Sequence, residues 1–184
     1  MVLLIIISKP LFIVLFTDKW NEAIPYFRIL CLPGMLLSLH ITNLNILKAT
    51  GRSDLYFFLE IPKKIIGIVS IIIGIQFGII GMLYGIVATS YLGLGINAFF
   101  SKRVVNYGIR EQLIDVLPAY SLSIFVGIVT YFSISYFSIN SLFISIITMI
   151  SLYSILYIGI SKLFHFEAVE LFLTIVNDKI SMKK

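Results

Sequence analysis

Two basic side chains lie inside apolar stretches, where a charge is costly unless it pairs, reaches water or binds an anion. Arg28 lies within one turn of the start of a long apolar segment, and Lys9 stands directly before Pro10 in another. For Arg28 two interpretations stay open. In the first, the Arg28 side chain extends to the end of the segment or pairs with Glu22 or Asp18. In the second, it faces an internal cavity and attracts an anionic ligand. Lys9 is a second candidate for lining such a cavity.

The polar residues that follow Arg28 could share its face of a helix. At about 100° per residue, Thr42 lies about 40° and Asn43 about 60° from Arg28 around the helix axis. We therefore predict a substrate-binding stripe made of Arg28, Thr42 and Asn43, with Lys9 beside it. His40 lies about 120° away. It either packs and bonds to a neighbouring helix, which we favour, or relays protons.

Four more basic residues are candidates for contact with lipid headgroups or phosphate: Lys48, Arg52, Lys63 and Lys64. The first two flank Gly51, where a left-handed residue would end a helix and nearby cations would offset its dipole. The other two follow Glu60 at spacings of three and four residues, so they also neutralise a carboxylate on the same helix face. We expect these three residues near the cytoplasmic end of the predicted helix 55–77. Both interpretations stay open for each pair.

Covalent catalysis has no recognisable basis in the sequence. It contains no glycine-rich phosphate loop, no paired histidines at metal-ligand spacing and no nucleophile elbow, and its one cysteine, Cys31, has no nearby base. We therefore predict a protein that is not an enzyme, with no catalytic residue, no metal site and no cofactor.

The composition indicates a membrane protein. Of 184 residues, 59% are hydrophobic and 12% are charged, and the mean hydropathy is +1.04. A soluble core could not bury this surplus, and the low charge excludes a disordered chain. Windows long enough to cross a bilayer predict an all-α polytopic helix bundle over 1–163 with one partial and five complete helices. The predicted helices lie near 2–16, 25–47, 55–77, 79–100, 117–137 and 141–163.

The charges also predict an orientation. If the turn from Lys48 to Asp54 is cytoplasmic, alternation of the helices places eleven of the fourteen lysines and arginines on that side. This asymmetry accounts for the net positive charge of the chain, so binding to nucleic acid is not needed to explain it. Residues 164–184 are too polar to span and are expected to form an amphipathic cytoplasmic tail at the membrane interface. The first helix begins without a charged leader, so we expect that functional relatives have residues upstream of it.

Three stretches resemble a known family: PLFIVLFTDKW (10–20), AIPYFRILCL (23–32) and ILKATGRSD (46–54). They are similar to the C-terminal part of the Wzx-type lipopolysaccharide and O-antigen flippases, in the multidrug/oligosaccharidyl-lipid/polysaccharide (MATE-like) exporter superfamily. The family usually has glycine where Thr17 stands, a position that suits a residue with positive φ.

The resemblance implies a partial MATE-like C-terminal lobe plus two extra helices, the last five and a half of fourteen spans. It implies flipping of isoprenoid-linked oligosaccharides for surface polysaccharide biosynthesis in a bacterial or archaeal cytoplasmic (inner) membrane. The expected partners are the lipid bilayer, the lipid-linked oligosaccharide and a missing N-terminal lobe or other polysaccharide-assembly proteins. The alternatives are a truncated remnant, a membrane interaction subunit, or a multidrug exporter of the same superfamily. The exporter would be supported by an acidic residue in mid-span, and the sequence predicts none.

Overall fold

A computed structural model describes residues 1–137 and 141–164, and within them the chain is helical with no strand. The helices are α1 (Val2–Phe16), α2 (Ala23–Met35), α3 (Leu37–Ala49), α4 (Ser53–Ile75), α5 (Gly78–Val105), α6 (Ile109–Phe137) and α7 (Leu142–Leu163). A short 3₁₀ turn, Asp18–Trp20, joins α1 to α2. The predicted tail, 164–184, lies outside the described part of the chain except for Phe164.

Four of the described helices are long and apolar enough to cross a membrane: Ala23–Ala49, Gly78–Val105, Ile109–Tyr136 and Leu142–Leu163. The first combines α2 and α3, which join at Leu36. There the Leu36 amide bonds to the Pro33 carbonyl at 3.1 Å, and the His40 amide bonds to the Leu36 carbonyl at 3.0 Å. The protein is therefore an all-α, polytopic membrane protein.

Helix α4 has 23 residues but does not meet the same criterion of length and composition. The reason is its charge, since Glu60, Lys63 and Lys64 lie in the interior of the helix. Its outer face is nevertheless apolar and exposed, with Ile61 and Ile65 at the level of these charges. The charges lie within a helix whose surface suits lipid, so they need partners inside the protein.

The described helices overlap the six segments that the sequence predicts, and the largest difference is at α6. This helix begins at Ile109, eight residues before the predicted start, and includes Pro118. The predicted loop 101–116 is therefore mostly helix. Asn106 ends α5 in the left-handed conformation, φ 58°, and its amide bonds to the Lys102 carbonyl at 3.0 Å. Only a tight turn separates α5 from α6.

The chain divides into two compact units, Met1–Pro118 and Ala119–Lys184. In the first unit, α5 packs against α2, α3 and α4, and α1 packs against α2. Glycines bring α4 and α5 close together. A Cβ added at Gly85 would lie 2.6 Å from the Ser70 hydroxyl, and one at Gly81 would lie 2.7 Å from the Gly74 carbonyl oxygen. Small residues are the usual means by which membrane helices approach one another.

The second unit contains the rest of α6 together with α7. The Ser123 hydroxyl and the Tyr153 hydroxyl lie 2.5 Å apart, which links the two helices. The rings of Tyr153 and Tyr157 stack with centroids 6.1 Å apart. Val126 and Thr130 are fully buried on α6. These contacts hold a pair of helices and enclose no ionisable cluster within the described residues.

The turn after α1 contains a strained residue. Thr17 has φ 69° and ψ 172°, a backbone conformation that is essentially restricted to glycine and that a β-branched residue adopts at a cost. We expect Thr17→Gly to raise the free energy of unfolding by about 1 kcal/mol, because glycine removes the strain but adds chain entropy. Reversible unfolding in mixed micelles would measure it. Thr17→Ala is the matched control, and an equal gain from alanine would contradict the strain.

Candidate functional site

A cavity of about 520 Å³ opens between α2, α3, α4 and α5 in the first unit. Its walls are apolar near α2 and polar where α3, α4 and α5 meet. The polar lining residues are His40, Glu60, Lys63, Lys64, Thr89, Ser90 and Asn97. We call this space the α3–α5 cavity.

A chain of hydrogen bonds crosses the cavity from α4 through α5 to α3. The Lys63 ammonium donates to the Glu60 carboxylate and, at 2.8 Å, to the side-chain oxygen of Asn97. The Asn97 amide nitrogen lies 3.2 Å from Nδ1 of His40, and Nε2 of His40 lies 3.2 Å from the Ser90 hydroxyl. Four ionisable or amide side chains are thereby fixed in one network.

The network lies well inside the helices that carry it. At 1.5 Å per residue, His40 is about 12 Å along α3 from Lys48, and Asn97 is about 8 Å along α5 from Lys102. Lys64 is about 15 Å along α4 from Asp54, which is half the thickness of a hydrocarbon core. The polar cluster therefore lies well away from the charged ends of all three helices. Sequence reasoning placed Lys63 and Lys64 near the helix end, and the structure places them near its middle.

Among the residues that the structure describes, Lys64 differs from Lys63 in having no partner. Its side chain lines the cavity and is exposed, and the described residues provide it with no hydrogen bond or ion pair. Lys63, in contrast, is only 15% exposed and is neutralised by Glu60. An unpaired cation this far along an apolar helix is costly unless an anion or water reaches it. The cavity thus offers one free positive charge beside a neutralised pair.

The predicted substrate-binding stripe is dispersed in the structure. Arg28 donates from Nε to the Ser8 hydroxyl at 2.8 Å, which ties α2 to α1. Lys9 and Thr42 are exposed and do not line the α3–α5 cavity, and Asn43 is fully buried. The 100° arithmetic assumed one regular helix, but the helix is interrupted at Leu36, between Arg28 and Asn43.

Lys48 and Arg52 lie at the turn between α3 and α4. Lys48 stands 4.5 Å from the ring centre of Tyr56, a cation–π contact, and Arg52 lies 3.7 Å from the Asp54 carboxylate with both side chains exposed. Gly51 between them has φ 72°, the left-handed conformation that the sequence predicts for the end of α3. Exposed cations in this position remain available to lipid phosphate.

Asn43 forms a reciprocal amide pair with Gln112 of α6. Each side-chain nitrogen donates to the other side chain's oxygen at 2.7 Å, and both residues are fully buried. Asn43 also donates to the Leu39 carbonyl, and Gln112 to the Tyr107 carbonyl. Every polar atom of the pair is therefore satisfied, and the role of Asn43 in this structure is to fasten α3 to α6.

Breaking this pair should be costly because it leaves a buried amide without partners. We expect Asn43→Leu to lower the free energy of unfolding by about 1–2 kcal/mol, and the double variant with Gln112→Leu to lower it by less than the sum. Reversible unfolding in mixed micelles measures both. Asn45→Leu, two residues along and exposed, is the control, and an equal loss there would contradict the assignment.

The turn between α5 and α6 has a second polar group. The Tyr107 hydroxyl donates to the Asp115 carboxylate at 2.7 Å. Partial burial, this hydrogen bond and the negative charges of Asp115 and Glu111 raise the pKa of Tyr107 to about 12. The phenol is therefore neutral at physiological pH, and its bond ties the turn between α5 and α6 to the first turns of α6, where Gln112 lies.

Sequence reasoning missed Ser90 and Asn97. Asn97 was detectable as the one amide in the apolar stretch of α5, but its partners are 34 and 57 residues away in the sequence. His40 bonds to the neighbouring helix α5, which is the arrangement that the sequence favoured for it. Only tertiary packing places these residues beside Lys63.

The described residues contain no group of three histidine, cysteine, aspartate or glutamate side chains suited to a metal ion. The polar chemistry of the site is therefore that of one free ammonium, one ion pair, an imidazole and an amide. No protein-family model matches the chain, and no curated protein or solved structure is significantly similar to it.

Proposed function

We propose that this chain is the C-terminal portion of a transporter that flips isoprenoid-linked oligosaccharides across the cytoplasmic membrane of a bacterium or archaeon. One observation carries the proposal: Lys64, near the middle of α4, lines a cavity and has no partner among the described residues. Ionisable groups within membrane helices most often mark the path of a substrate or ion. The resemblance of three short stretches, 10–20, 23–32 and 46–54, to Wzx-type flippases is the second ground for the proposal.

The lining of the α3–α5 cavity suits the two polar parts of such a substrate. Lys64 and, behind it, Lys63 provide the positive charge that a diphosphate needs. Thr89, Ser90 and Asn97 provide hydroxyl and amide groups of the kind that bind sugar hydroxyls. The exposed isoleucines and phenylalanines of α4 offer an apolar surface for the isoprenoid chain. A complete path requires a second helical lobe facing the cavity, which we propose as the partner of this chain.

The second candidate is a cation-coupled multidrug exporter, and Glu60 favours it. The sequence alone indicated no acidic residue in mid-span, but Glu60 lines the cavity about 9 Å along α4 from Asp54. A carboxylate at this depth is the group that binds a proton or sodium ion in such exporters. Its ion pair with Lys63 argues for the flippase, because the paired carboxylate is already neutralised.

The test is complementation of a bacterial strain that lacks its own flippase, with surface polysaccharide as the readout. The chain is expressed alone and joined to the sequence encoded upstream of it. We expect the joined form to restore polysaccharide. Restored resistance to cationic drugs without polysaccharide would favour the exporter. Failure of both forms, with the protein present in the membrane, would favour a remnant or an interaction subunit.

A further inference from the structure

The network in the α3–α5 cavity determines which nitrogen of His40 carries the proton. An ammonium group only donates hydrogen bonds, so the atom of Asn97 that lies 2.8 Å from Lys63 must be its oxygen. The Asn97 nitrogen, which only donates, then faces Nδ1 of His40. Nδ1 must accept this bond, so the imidazole proton is on Nε2, where it is donated to the Ser90 hydroxyl.

A second proton on His40 conflicts with this arrangement. Protonated Nδ1 would face the Asn97 amide nitrogen, placing two donors against each other. Turning the Asn97 side chain by 180° resolves that conflict, but it then directs the amide nitrogen at the Lys63 ammonium. Asn97 cannot keep its bonds to both neighbours once His40 is doubly protonated.

We propose that Asn97 is a positioning residue that couples the protonation of His40 to the position of Lys63. When His40 takes up a proton from water in the cavity, Lys63 loses the Asn97 oxygen and keeps only its bond to Glu60, so its ammonium is held less firmly. The charged groups that face His40 in the cavity are Glu60, Lys63 and Lys64, all on α4, while α2 and α5 contribute neutral residues to the lining. Glu60 remains the only acceptor that the described residues offer Lys63.

The consequence for transport rests on the function proposed above: acid on the side to which the cavity opens would add a second cation to the anion-binding surface. The coupling itself requires no substrate. It depends only on the donor and acceptor identities along the chain from Ser90 to Glu60, so it can be tested separately from transport.

The test uses nitrogen NMR of the full chain in lipid nanodiscs. The sequence has two histidines, so His165→Gln leaves His40 as the sole imidazole. At neutral pH we expect Nδ1 to resonate as an unprotonated nitrogen and Nε2 as a protonated one. Asn97→Asp retains the acceptor for Lys63 but offers His40 only an acceptor, so we expect the proton to appear on Nδ1. A protonated Nδ1 in neutral His40 with Asn97 intact would overturn the proposal.

Two variants distinguish the coupling through Asn97 from the effect of removing a positive charge from the cavity. Lys63→Met frees Asn97 to turn and should give a mixture of the two neutral tautomers. Lys64→Met removes the same charge from the same cavity without touching Asn97 and should leave the proton on Nε2. Equal behaviour of the two variants would refute the coupling. If Lys63→Met does not fold, Asn97→Asp decides the question alone.

Amine labelling gives a second readout that a merely structural role would not change. The ratio of labelling at Lys63 to that at Lys64, located by mass spectrometry, cancels the general effect of pH on amines. We expect this ratio to rise by about tenfold as His40 becomes doubly protonated, because a hydrogen bond to a charged group is lost. A constant ratio would contradict the proposal. Neither readout depends on complementation. A result that contradicts the coupling between His40 and Lys63 can therefore be told apart from a result that contradicts the flippase function.

Discussion

Lys64→Gln should lower the proposed flippase activity by at least about tenfold, because it removes the one cation of the α3–α5 cavity that has no partner in the described part of the chain. A charge-assisted hydrogen bond to phosphate is about twice as strong as a neutral one, and glutamine keeps only the neutral part. Surface polysaccharide in the complemented strain measures the loss. Lys64→Arg, which retains the charge, should preserve most of the activity.

Arg28→Gln is the informative comparison for Lys64→Gln. Arg28 is also a cation in an apolar segment, but it bonds to Ser8 of α1 and does not line the α3–α5 cavity. We expect its replacement to weaken the packing of α1 on α2 and to reduce the amount of protein, with activity per molecule largely retained. A large loss of specific activity for Arg28→Gln together with none for Lys64→Gln would contradict binding in the α3–α5 cavity. It would indicate that the substrate binds at the stripe that the sequence predicts.

Lys63→Met should lower the free energy of unfolding by up to about 3 kcal/mol, because it leaves the Glu60 carboxylate in the interior of α4 without its cation. Asn97 would lose its hydrogen-bond donor at the same time. Reversible unfolding in mixed micelles measures the loss.

The double variant Glu60→Gln/Lys63→Met tests whether the loss of stability comes from the unpaired charge of the Glu60 carboxylate. Glutamine removes the charge with little change in shape, so the double variant should be more stable than Lys63→Met alone. Lys64→Met provides the matched control, since its ammonium pairs with no carboxylate among the described residues. If Lys64→Met destabilises the protein as much as Lys63→Met does, the pair does not contribute as described.

Hydropathy predicts the class of fold because lipid imposes it: only helices or closed barrels satisfy the backbone without water, and the apolar runs have helix length. Hydropathy predicts the ends of the helices less well than their presence. The start of α6 at Ile109 was hidden by the polar residues Arg110, Glu111 and Asp115. These residues lie in the first turns of a helix that extends beyond the apolar run, and no hydropathy window detects such an extension.

The candidate site was predictable only in part. Lys63 and Lys64 stand out as charges in an apolar sequence, and the spacing from Glu60 indicates an ion pair. The sequence does not show that α5 brings Asn97 to Lys63, because a contact over 34 residues depends on how α4 and α5 pack. Helical arithmetic misplaced Asn43 because it continued one helix through the interruption around Leu36.

The proposal of a binding site within the membrane is tested most directly by measuring how deep Lys63 and Lys64 of α4 lie in a bilayer. Single spin labels would replace the exposed residues Phe57, Ile61, Ile65 and Ile68 of α4 in a Cys31→Ser background, which removes the one native cysteine. Collision rates with oxygen, which concentrates in the bilayer centre, are compared with those of a water-soluble nickel chelate. We predict that the ratio of oxygen to nickel collisions rises from Phe57 to Ile65 and stays high at Ile68. A ratio at Ile61 and Ile65 as low as at Phe57 would place the cluster in water and contradict a binding site within the membrane.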